Sequence, residues 1–413
     1  MQVTEPAAGP AEDETLRRAR FSLLACFLIQ GASFALLVTR IPAIQRRYDL
    51  GDGTLTAILS VVPIVAGVGS VLAGALARRH GSRLVLRVAQ PIVCAILIGV
   101  GTGDRLWQLA VVLLVFGLSL GAVDATMNMQ GVAIQARAGR NIMLGFHASY
   151  SLGGLAGAGV AGLCAWGEVG LGRMYAGAAV LTVPALLVIG PGYLRADPEP
   201  AATAADFDRP RRALPWRPLI PLCLVMTFAY IGDSTVANWS AVYLEKVLDS
   251  SEAFAVVPYI AYMITTLIGR SVGDLGVRRW GMVDVVRGGA VVAAAGFAVV
   301  LAAPHAAVGL LGFVILGVGL CVLVPQTFVA GGRQSPRDAD AAVARLNIFN
   351  YVGFLVGTPL VGGIAGVSSF RVAMLVPLIL VLAVVPLARA FAPHGEPAHD
   401  DDRGAGPGGS VTA

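Results

Sequence analysis

The sequence predicts an all-α integral membrane protein whose twelve transmembrane helices form two pseudo-symmetric six-helix bundles. Three observations lead to this prediction: an apolar composition, twelve long apolar runs and an internal repeat. Of the 413 residues, 56% are hydrophobic and 13% are charged, whereas a soluble domain carries about 25% charged residues. A soluble chain of this length could not bury so much apolar surface in one core, so the bilayer is the expected solvent.

The charged residues exclude two classes of function. Lys246 is the only lysine, and the residues before it read Ser-Ala-Val-Tyr-Leu-Glu. This segment does not fit the glycine-rich phosphate loop of an ATPase, so any pumping must draw on an ion gradient or a partner chain. The formal net charge of +5 comes almost entirely from arginine. Because the arginines follow membrane topology, as described below, they predict no nucleic-acid partner.

The cysteines lie singly in apolar runs and are widely spaced, which argues against a disulfide framework or a zinc site. We expect them to be buried thiols, and the sequence predicts no metal and no cofactor. They are Cys26, Cys94, Cys164, Cys223 and Cys321.

Twelve apolar runs are long enough to cross a bilayer, which takes about 20 residues. Residues 1–16 are polar and acidic, and Arg17, Arg18 and Arg20 then precede the first run. That run is long enough to span, so it predicts a first transmembrane helix and no cleavable signal peptide. The predicted spans are 21–40, 54–77, 84–102, 107–130, 142–166, 171–194, 218–244, 253–273, 282–302, 306–330, 343–366 and 370–391.

The positions of the arginines predict the orientation. With the N-terminus inside, 23 of the 30 basic residues, including Arg270, fall on the predicted cytoplasmic side, and seven fall outside. The positive-inside rule therefore places both termini in the cytoplasm of a multi-pass protein of the cell membrane. An odd number of spans would put the two tails on opposite sides and break this pattern.

The two halves of the chain align without gaps at an offset of 200 residues. The most specific match is a loop block, in which Arg78-Arg79-x-Gly81 corresponds to Arg278-Arg279-x-Gly281. Two parallel six-helix halves with a site between them are a transporter architecture. Other matched pairs are Gly69 and Gly269, Val85 and Val285, Arg87 and Arg287, Gly117 and Gly317, Leu120 and Leu320, Gly153 and Gly353, Leu155 and Leu355, and Gly157 and Gly357.

The repeat and the composition divide the chain into five segments. A cytoplasmic tail at 1–20 precedes the first bundle at 21–194, and the second bundle follows at 218–392. Between them, residues 195–217 are polar and rich in Pro, Ala and Arg, as expected of a cytoplasmic linker. The Gly-, Pro- and Asp-rich tail at 393–413 is expected to be disordered.

The loop after span 2 carries a family signature. Its sequence, Gly74-Ala-Leu-Ala-Arg-Arg-His-Gly81-Ser-Arg83, resembles the G-x-L-A-D-R-x-G-R motif of the major facilitator superfamily. The resemblance covers nearly the whole chain and implies the major facilitator fold. Arg78 stands where the motif has Asp, so half of the usual cytoplasmic charge latch is missing, while the second half keeps an acid. The cytoplasmic gate is therefore expected at Arg78, Arg79, Arg83, Asp274, Arg278 and Arg279.

Two further runs resemble the fucose-permease-like branch of this family. They are Gly121-Ala-Val-Asp124-Ala-Thr-Met-Asn128-Met-Gln130-Gly131 in span 4 and His147-Ala-Ser-Tyr-Ser151-Leu-Gly-Gly154 in span 5. In that branch, an acid followed four positions later by Asn is linked to proton-coupled sugar uptake. A second acid expected in span 1 is absent, where the run is Gln30-Gly-Ala-Ser-Phe-Ala-Leu-Leu-Val-Thr39.

Three titratable residues are candidates for proton coupling. Asp124 shares one stripe of span 4 with two glycines and Asn128, and an acid in a span costs roughly 2.5–3.5 kcal/mol on insertion scales, which suggests a use. His147 is predicted at a similar depth in span 5, where an Asp–His couple would suit proton transfer. Asp233 in span 7 is the third candidate. The structural alternatives are an Asp124 paired with an arginine at the helix end, and a His147 that only packs and hydrogen-bonds.

Other polar residues within the spans are expected to bind a neutral polar solute or, alternatively, to form hydrogen bonds between helices. Span 7 places Tyr230, Ser234 and Asn238 on one stripe, and span 11 clusters Asn347, Asn350 and Tyr351. The candidates for substrate binding are Gln30, Asn128, Tyr150, Tyr230, Asn238, Tyr262, Gln326, Asn347 and Asn350.

Three functions remain open from the sequence. The first is a proton-coupled importer of a small polar solute such as a sugar, which would act as a monomer in the lipid bilayer. The second is a proton-driven exporter of amphiphilic compounds, favoured by the apolar, glycine-rich span 5. The third is a non-transporting membrane sensor on the same fold. No enzyme is predicted, because the G-x-S-x-G match at 117–121 and the G-x-G-x-x-G match at 157–162 lie inside membrane helices.

Overall fold

The computed structural model describes residues 10–50, 52–195, 216–250, 254, 257–334 and 338–392, and within them the chain forms helices without β-strands. The predicted linker at 195–217 lies mostly outside the described residues, and the predicted tail at 393–413 lies outside them entirely. Residues 10–20 of the predicted N-terminal tail are instead part of the first helix. Spans 1 to 6 are Pro10–Val38, Asp52–His80, Ser82–Thr102, Leu106–Ala138, Met143–Trp166 and Leu171–Ile189. Spans 7 to 11 are Trp216–Val247, Val257–Trp280, Met282–Ala302, Ala306–Leu320 continued by Leu323–Gln334, and Ala339–Val367.

Span 12 consists of four short pieces, Phe370–Ala373, Leu375–Leu382, Val384–Leu387 and Ala388–Phe391, and a short helix, Ile41–Arg47, follows span 1. Among the described residues, eleven helices are long and apolar enough to cross a membrane. The twelfth is span 8, which is less apolar because it carries Arg270 and Asp274. The twelve-helix prediction is confirmed.

Several predicted spans have different bounds in the structure. Span 1, predicted from residue 21, begins at Pro10, and span 8, predicted to end at residue 273, continues to Trp280. Span 4 was predicted to end at residue 130, but its helix continues to Ala138, where Gly139 caps it with a φ of 61°. Span 10 is interrupted at Cys321 and Val322 and then continues to Gln334. Pro325 explains the interruption, because proline has no N–H to donate to the carbonyl four residues earlier.

The repeat at offset 200 is also a repeat of backbone conformation and packing. Gly81 and Gly281 begin spans 3 and 9 with φ of 79° and 80°, a left-handed conformation that favours glycine. A Cβ on Gly117 would meet Val65, and one on Gly317 would meet Thr265, the position that corresponds to Val65 in the second half. The two halves are therefore built on the same helix contacts.

The halves meet mainly where span 2 packs on span 11 and span 5 packs on span 8. We call the side where span 1 begins and span 12 ends the terminal side. There the halves are in close contact, since a Cβ on Gly74 would lie 2.8 Å from the Cβ of Ala344. Towards the other side, Gly159, Gly162 and Gly363 have open space beside them. The contact between Gly74 and Ala344 therefore closes the two halves together on the terminal side.

Candidate functional site

Asp124 lies in span 4 at the boundary between the two halves. It precedes the end of its helix, at Ala138, by 14 residues, a rise of about 21 Å. The hydroxyl of Tyr351, in span 11, donates a hydrogen bond to Oδ2 of Asp124. Both side chains are half-buried. The acid of the first half is therefore held by a phenol of the second half, near the middle of the bundle.

Asn128 stands between Asp124 and His147. Its Nδ2 donates to the backbone carbonyl of Asp124 at 2.7 Å, and its Oδ1 lies 3.2 Å from Nε2 of His147. The His147 ring also packs against Phe27 and Phe328, with centroid distances of 5.4 and 6.3 Å. Asn128 thus connects the His147 ring to the main chain of Asp124 and not to its carboxylate, so the described structure forms no Asp–His side-chain couple.

Asp233, the acid of the second half, has a partner within its own half. The hydroxyl of Tyr262, in span 8, donates to Oδ1 of Asp233, in span 7. Two predicted substrate residues, Tyr150 and Tyr230, are half-buried and close enough to Asp124 to interact with its charge. Two acids and several phenols thus surround the space between the halves.

Arg270 was assigned by sequence to the predicted cytoplasmic side, but the structure places it inside span 8. It precedes the end of that helix, at Trp280, by ten residues, about 15 Å. Its Nη1 donates to Oγ of Ser151, in span 5, at 2.8 Å. Arg270 therefore lies between the halves, close enough to Asp233 for their charges to interact.

The remaining predicted substrate residues fall into different environments. Asn347 is buried and donates to Oγ of Ser70 across the boundary at 3.2 Å, and Asn350 donates to Asn347 at 3.1 Å. Gln30, also buried, accepts from Gln90 at 3.1 Å. Asn347 and Gln30 therefore bond to other helices, whereas the bond of Asn350 lies within span 11. The Nε2 of Gln30 is buried without a hydrogen-bond partner.

Two other amides differ from that group. Asn238 is exposed and donates to Oγ1 of Thr358 at 2.9 Å. Gln326 is fully buried, and neither its Nε2 nor its Oε1 has a hydrogen-bond partner. Gln326 follows the interruption of span 10 by four residues.

On the terminal side, Asp274 is the residue of the predicted gate that accepts hydrogen bonds from the other half. Its carboxylate accepts from the backbone N–H of Leu144 at 3.4 Å and of Gly145 at 3.2 Å. These amides begin span 5, and the positive end of a helix dipole favours an anion. Asp274 thereby joins the two halves.

The predicted gate arginines are placed differently. Arg83 donates to the carbonyl of Pro191 at 2.8 Å, within the first half. The other four predicted gate arginines are exposed at the ends of spans 2 and 8. They are Arg78, Arg79, Arg278 and Arg279.

A groove beside the site runs between spans 2 and 11, with a volume of about 330 Å³. Tyr351, the partner of Asp124, forms part of its wall, and the rest of the wall is apolar. Exposed aliphatic side chains within spans are typical of surfaces that face acyl chains. The lining consists of Pro63, Ile64, Gly67, Val68, Val71, Ile348, Tyr351, Val352 and Leu355.

Two residues of this site were not selected from the sequence. Arg270 could have been found, because an arginine this far inside an obligatory span is costly and must have a partner or a role. Tyr351 was grouped with Asn347 and Asn350, but its bond to Asp124 joins residues 227 positions apart. No pattern along the chain indicates which of several tyrosines makes such a contact.

Two repeated six-helix halves with a polar site between them are the architecture of a membrane transporter. The sequence profile of the Major Facilitator Superfamily matches residues 23–339, and the chain belongs to this superfamily. An uncharacterized MFS-type transporter of Yersinia pestis is 31% identical over 369 residues, covering 88% of this chain and 93% of the relative.

Solved structures show the same fold. The crystal structure of FucP in its outward conformation matches with a TM-score of 0.74 and 15% identity, over 90% of this chain and 98% of that one. The crystal structure of the human organic anion transporter MFSD10 matches with a TM-score of 0.76 and 14% identity, over 92% and 100%. The expected resemblance to the fucose-permease branch is thus confirmed at the level of the fold.

Proposed function

We propose that the protein is a proton-coupled secondary transporter that moves a small polar solute, such as a sugar, across the cell membrane. The observation that carries the proposal is the hydrogen bond from Tyr351 to Asp124, because it joins a titratable group to the boundary between the halves. The solved FucP is named a fucose:proton symporter, which agrees with this proposal.

The bond suggests how a proton could control the transport cycle. An ionised Asp124 accepts from Tyr351 and holds the halves together on its terminal side. Protonation removes the negative charge and weakens this charge-assisted bond. The two halves can then rock about the bound solute and open on the terminal side. Release of the proton restores the bond and returns the transporter to the state described here.

The solute-binding residues in this proposal are those facing the space between the halves. Tyr150 and Tyr230 supply hydroxyls and ring faces, whereas Tyr262 is buried and donates its hydroxyl to Asp233. Asn128 connects His147 to the main-chain carbonyl of Asp124. One chain contains both halves and the whole of this space, so the monomer is proposed to be the working unit. Asp233 is kept as the alternative coupling group.

The orientation follows from the arginine distribution, which places the terminal side in the cytoplasm. Tags inserted at residue 205 and at both termini should all report a cytoplasmic location. A periplasmic signal from the tag at 205 would contradict the arrangement of two times six spans.

The decisive experiment compares exchange with accumulation in proteoliposomes. Asp124→Asn should keep counterflow exchange of labelled solute but lose accumulation driven by a pH gradient. His147→Ala should shift the pH dependence without abolishing exchange, because His147 bonds to Asn128, beside Asp124, and not to the Asp124 carboxylate. If Asp124→Asn concentrates solute as well as the parent does, Asp124 is structural and the coupling group must be sought at Asp233.

The groove along spans 2 and 11 favours a second candidate, a proton-driven exporter of amphiphilic compounds. Its apolar wall includes Tyr351, so an amphiphile could approach Asp124 from the bilayer. Dye extrusion from vesicles, measured beside counterflow of labelled sugars, separates the two candidates. Binding without either flux would favour a membrane sensor.

A further inference from the structure

Arg270 is a guanidinium inside a membrane-spanning helix that has no carboxylate partner in the described structure. An arginine at this depth is costly, so it is expected to bind an anion or a set of acceptors. An ion pair between described residues joins Nη1 of Arg287 to Oδ1 of Asp284 at 3.3 Å, on the exposed surface of span 9. Arg270 forms no ion pair with a described carboxylate, although Asp233 lies near enough for the two charges to interact.

The hydrogen bonds of Arg270 are also incomplete. A guanidinium has five N–H donors, and one of them is used by Oγ of Ser151 at 2.8 Å. The Nε of Arg270 is buried and has no hydrogen-bond partner. The nearby Asp233 already accepts the hydroxyl of Tyr262. A buried donor without an acceptor is unfavourable, so an acceptor from outside the chain fits here.

We propose that Arg270 binds a carboxylate of the transported solute, which makes the solute class hydroxylated monocarboxylates such as sugar acids. This inference rests on the proposed transport function and names its substrate class. The planar fork of arginine matches a carboxylate with two parallel hydrogen bonds. The phenols of Tyr150 and Tyr230 lie close enough to Arg270 to interact with its charge, and they suit the hydroxyl groups of such a solute.

The charge of the surrounding residues favours a monoanion over a phosphate ester. Arg270 is close enough to Asp233 for their charges to interact, and Asp124 is a second acid at the boundary between the halves. A dianion would meet repulsion from both acids with one positive charge to offset it. A carboxylate carries one negative charge, so it meets less repulsion from the two acids than a dianion does.

The test measures binding in detergent, where neither transport nor a proton gradient is needed. The purified chain is titrated calorimetrically with matched pairs of probes: gluconate and glucose, galacturonate and galactose, and glucose 6-phosphate as the phosphate probe. We expect at least one acid to bind about tenfold or more tightly than its parent sugar, and glucose 6-phosphate to bind no better than glucose.

Variants assign the effect to Arg270. Arg270→Gln should lose the preference for the acid, and Arg270→Lys should keep part of it, because the charge remains without the planar fork. Arg287→Gln removes an exposed arginine of the same half and should change nothing. Elution as a monodisperse peak in size exclusion shows that each variant is folded.

Equal affinity for acid and parent sugar would overturn the inference, as would binding of an acid that Arg270→Gln leaves unchanged, or tighter binding of glucose 6-phosphate. Failure of all the acids to bind overturns it as well. These outcomes are separate from the proton proposal, since Asp124→Asn should still bind the acid in detergent even if it cannot accumulate it.

Discussion

Two carboxylates lie within the membrane spans beside the same space, Asp124 in the first half and Asp233 in the second. Each accepts a hydrogen bond from a tyrosine hydroxyl. The tyrosine of Asp124, Tyr351, belongs to the opposite half, whereas that of Asp233, Tyr262, belongs to the same half. Rocking of the halves must break the first bond and can leave the second intact. The two acids therefore make similar hydrogen bonds, but of the two, only the bond of Asp124 must break when the halves move.

The largest expected effect separates the two acids directly. With one proton per solute, a pH difference of one unit supports about tenfold accumulation. Asp124→Asn should reduce this ratio to near one, because its carboxamide cannot take up and release a proton. Asp233→Asn should keep the ratio within about twofold at saturating solute. The measurement is uptake of labelled solute in proteoliposomes with an imposed pH gradient, and the reverse outcome would transfer the coupling role to Asp233.

The two tyrosines sharpen the same comparison. A hydrogen bond to a charged group contributes about 1.5–3 kcal/mol, so Tyr351→Phe should raise the population open on the terminal side about tenfold or more. Tyr262→Phe removes a bond within one half and serves as the matched control. The reporter is Ala344→Cys, a position buried in the boundary, and the measurement is its rate of maleimide labelling. Equal labelling rates in both variants would contradict the conclusion that the Tyr351 bond, and not the Tyr262 bond, holds the halves together.

A smaller effect is expected at the terminal side itself. Asp274→Asn keeps one acceptor for the amides of Leu144 and Gly145 but removes the charge at the start of span 5. A charge at a helix end contributes about 0.3–1 kcal/mol, so labelling of Ala344→Cys should rise about two- to fivefold. No increase would mean that Asp274 does not help to close this side.

The smallest effect is expected from the exposed arginine pairs. Replacing Arg78-Arg79 or Arg278-Arg279 with neutral residues should impair transport per inserted protein more than it impairs insertion. The loss should be less than that of Asp274→Asn, because exposed charges contribute about 0–1 kcal/mol. Flux normalised to the protein in the membrane gives the answer, and unchanged flux in both double variants would make these pairs topology signals alone.

The fold could be predicted from sequence because its determinants are local or periodic. Span length follows from runs of apolar residues. The repeat places corresponding glycines at 81 and 281, where the backbone has a positive φ in both halves. The end of span 4 was wrong by eight residues, because the polar residues after 130 are still helical. In particular, Gln130 donates to the carbonyl of Leu194 and stays buried.

The site was harder to predict because its bonds join distant parts of the chain. Asp124 stood out by its cost within a span, but its partner Tyr351 is fixed by how the two halves dock. Arg270 was counted with the cytoplasmic arginines, since the polar end of span 8 obscured where that helix stops. The sequence predicts a similar depth for His147 and Asp124 and leaves their pairing open. In the structure the amide of Asn128, one turn along span 4, bonds the His147 ring and the main-chain carbonyl of Asp124.

The groove along spans 2 and 11 gives one side chain two neighbours of very different kinds. Tyr351 touches Asp124 and also forms part of a wall open to acyl chains. Lipid tails of different length or shape will occupy this groove differently, and they will therefore change the packing of the Tyr351 ring. The composition of the bilayer thereby becomes an input to the conformational balance, alongside proton and solute. A transport rate measured in one lipid mixture is then a property of the protein and that mixture together.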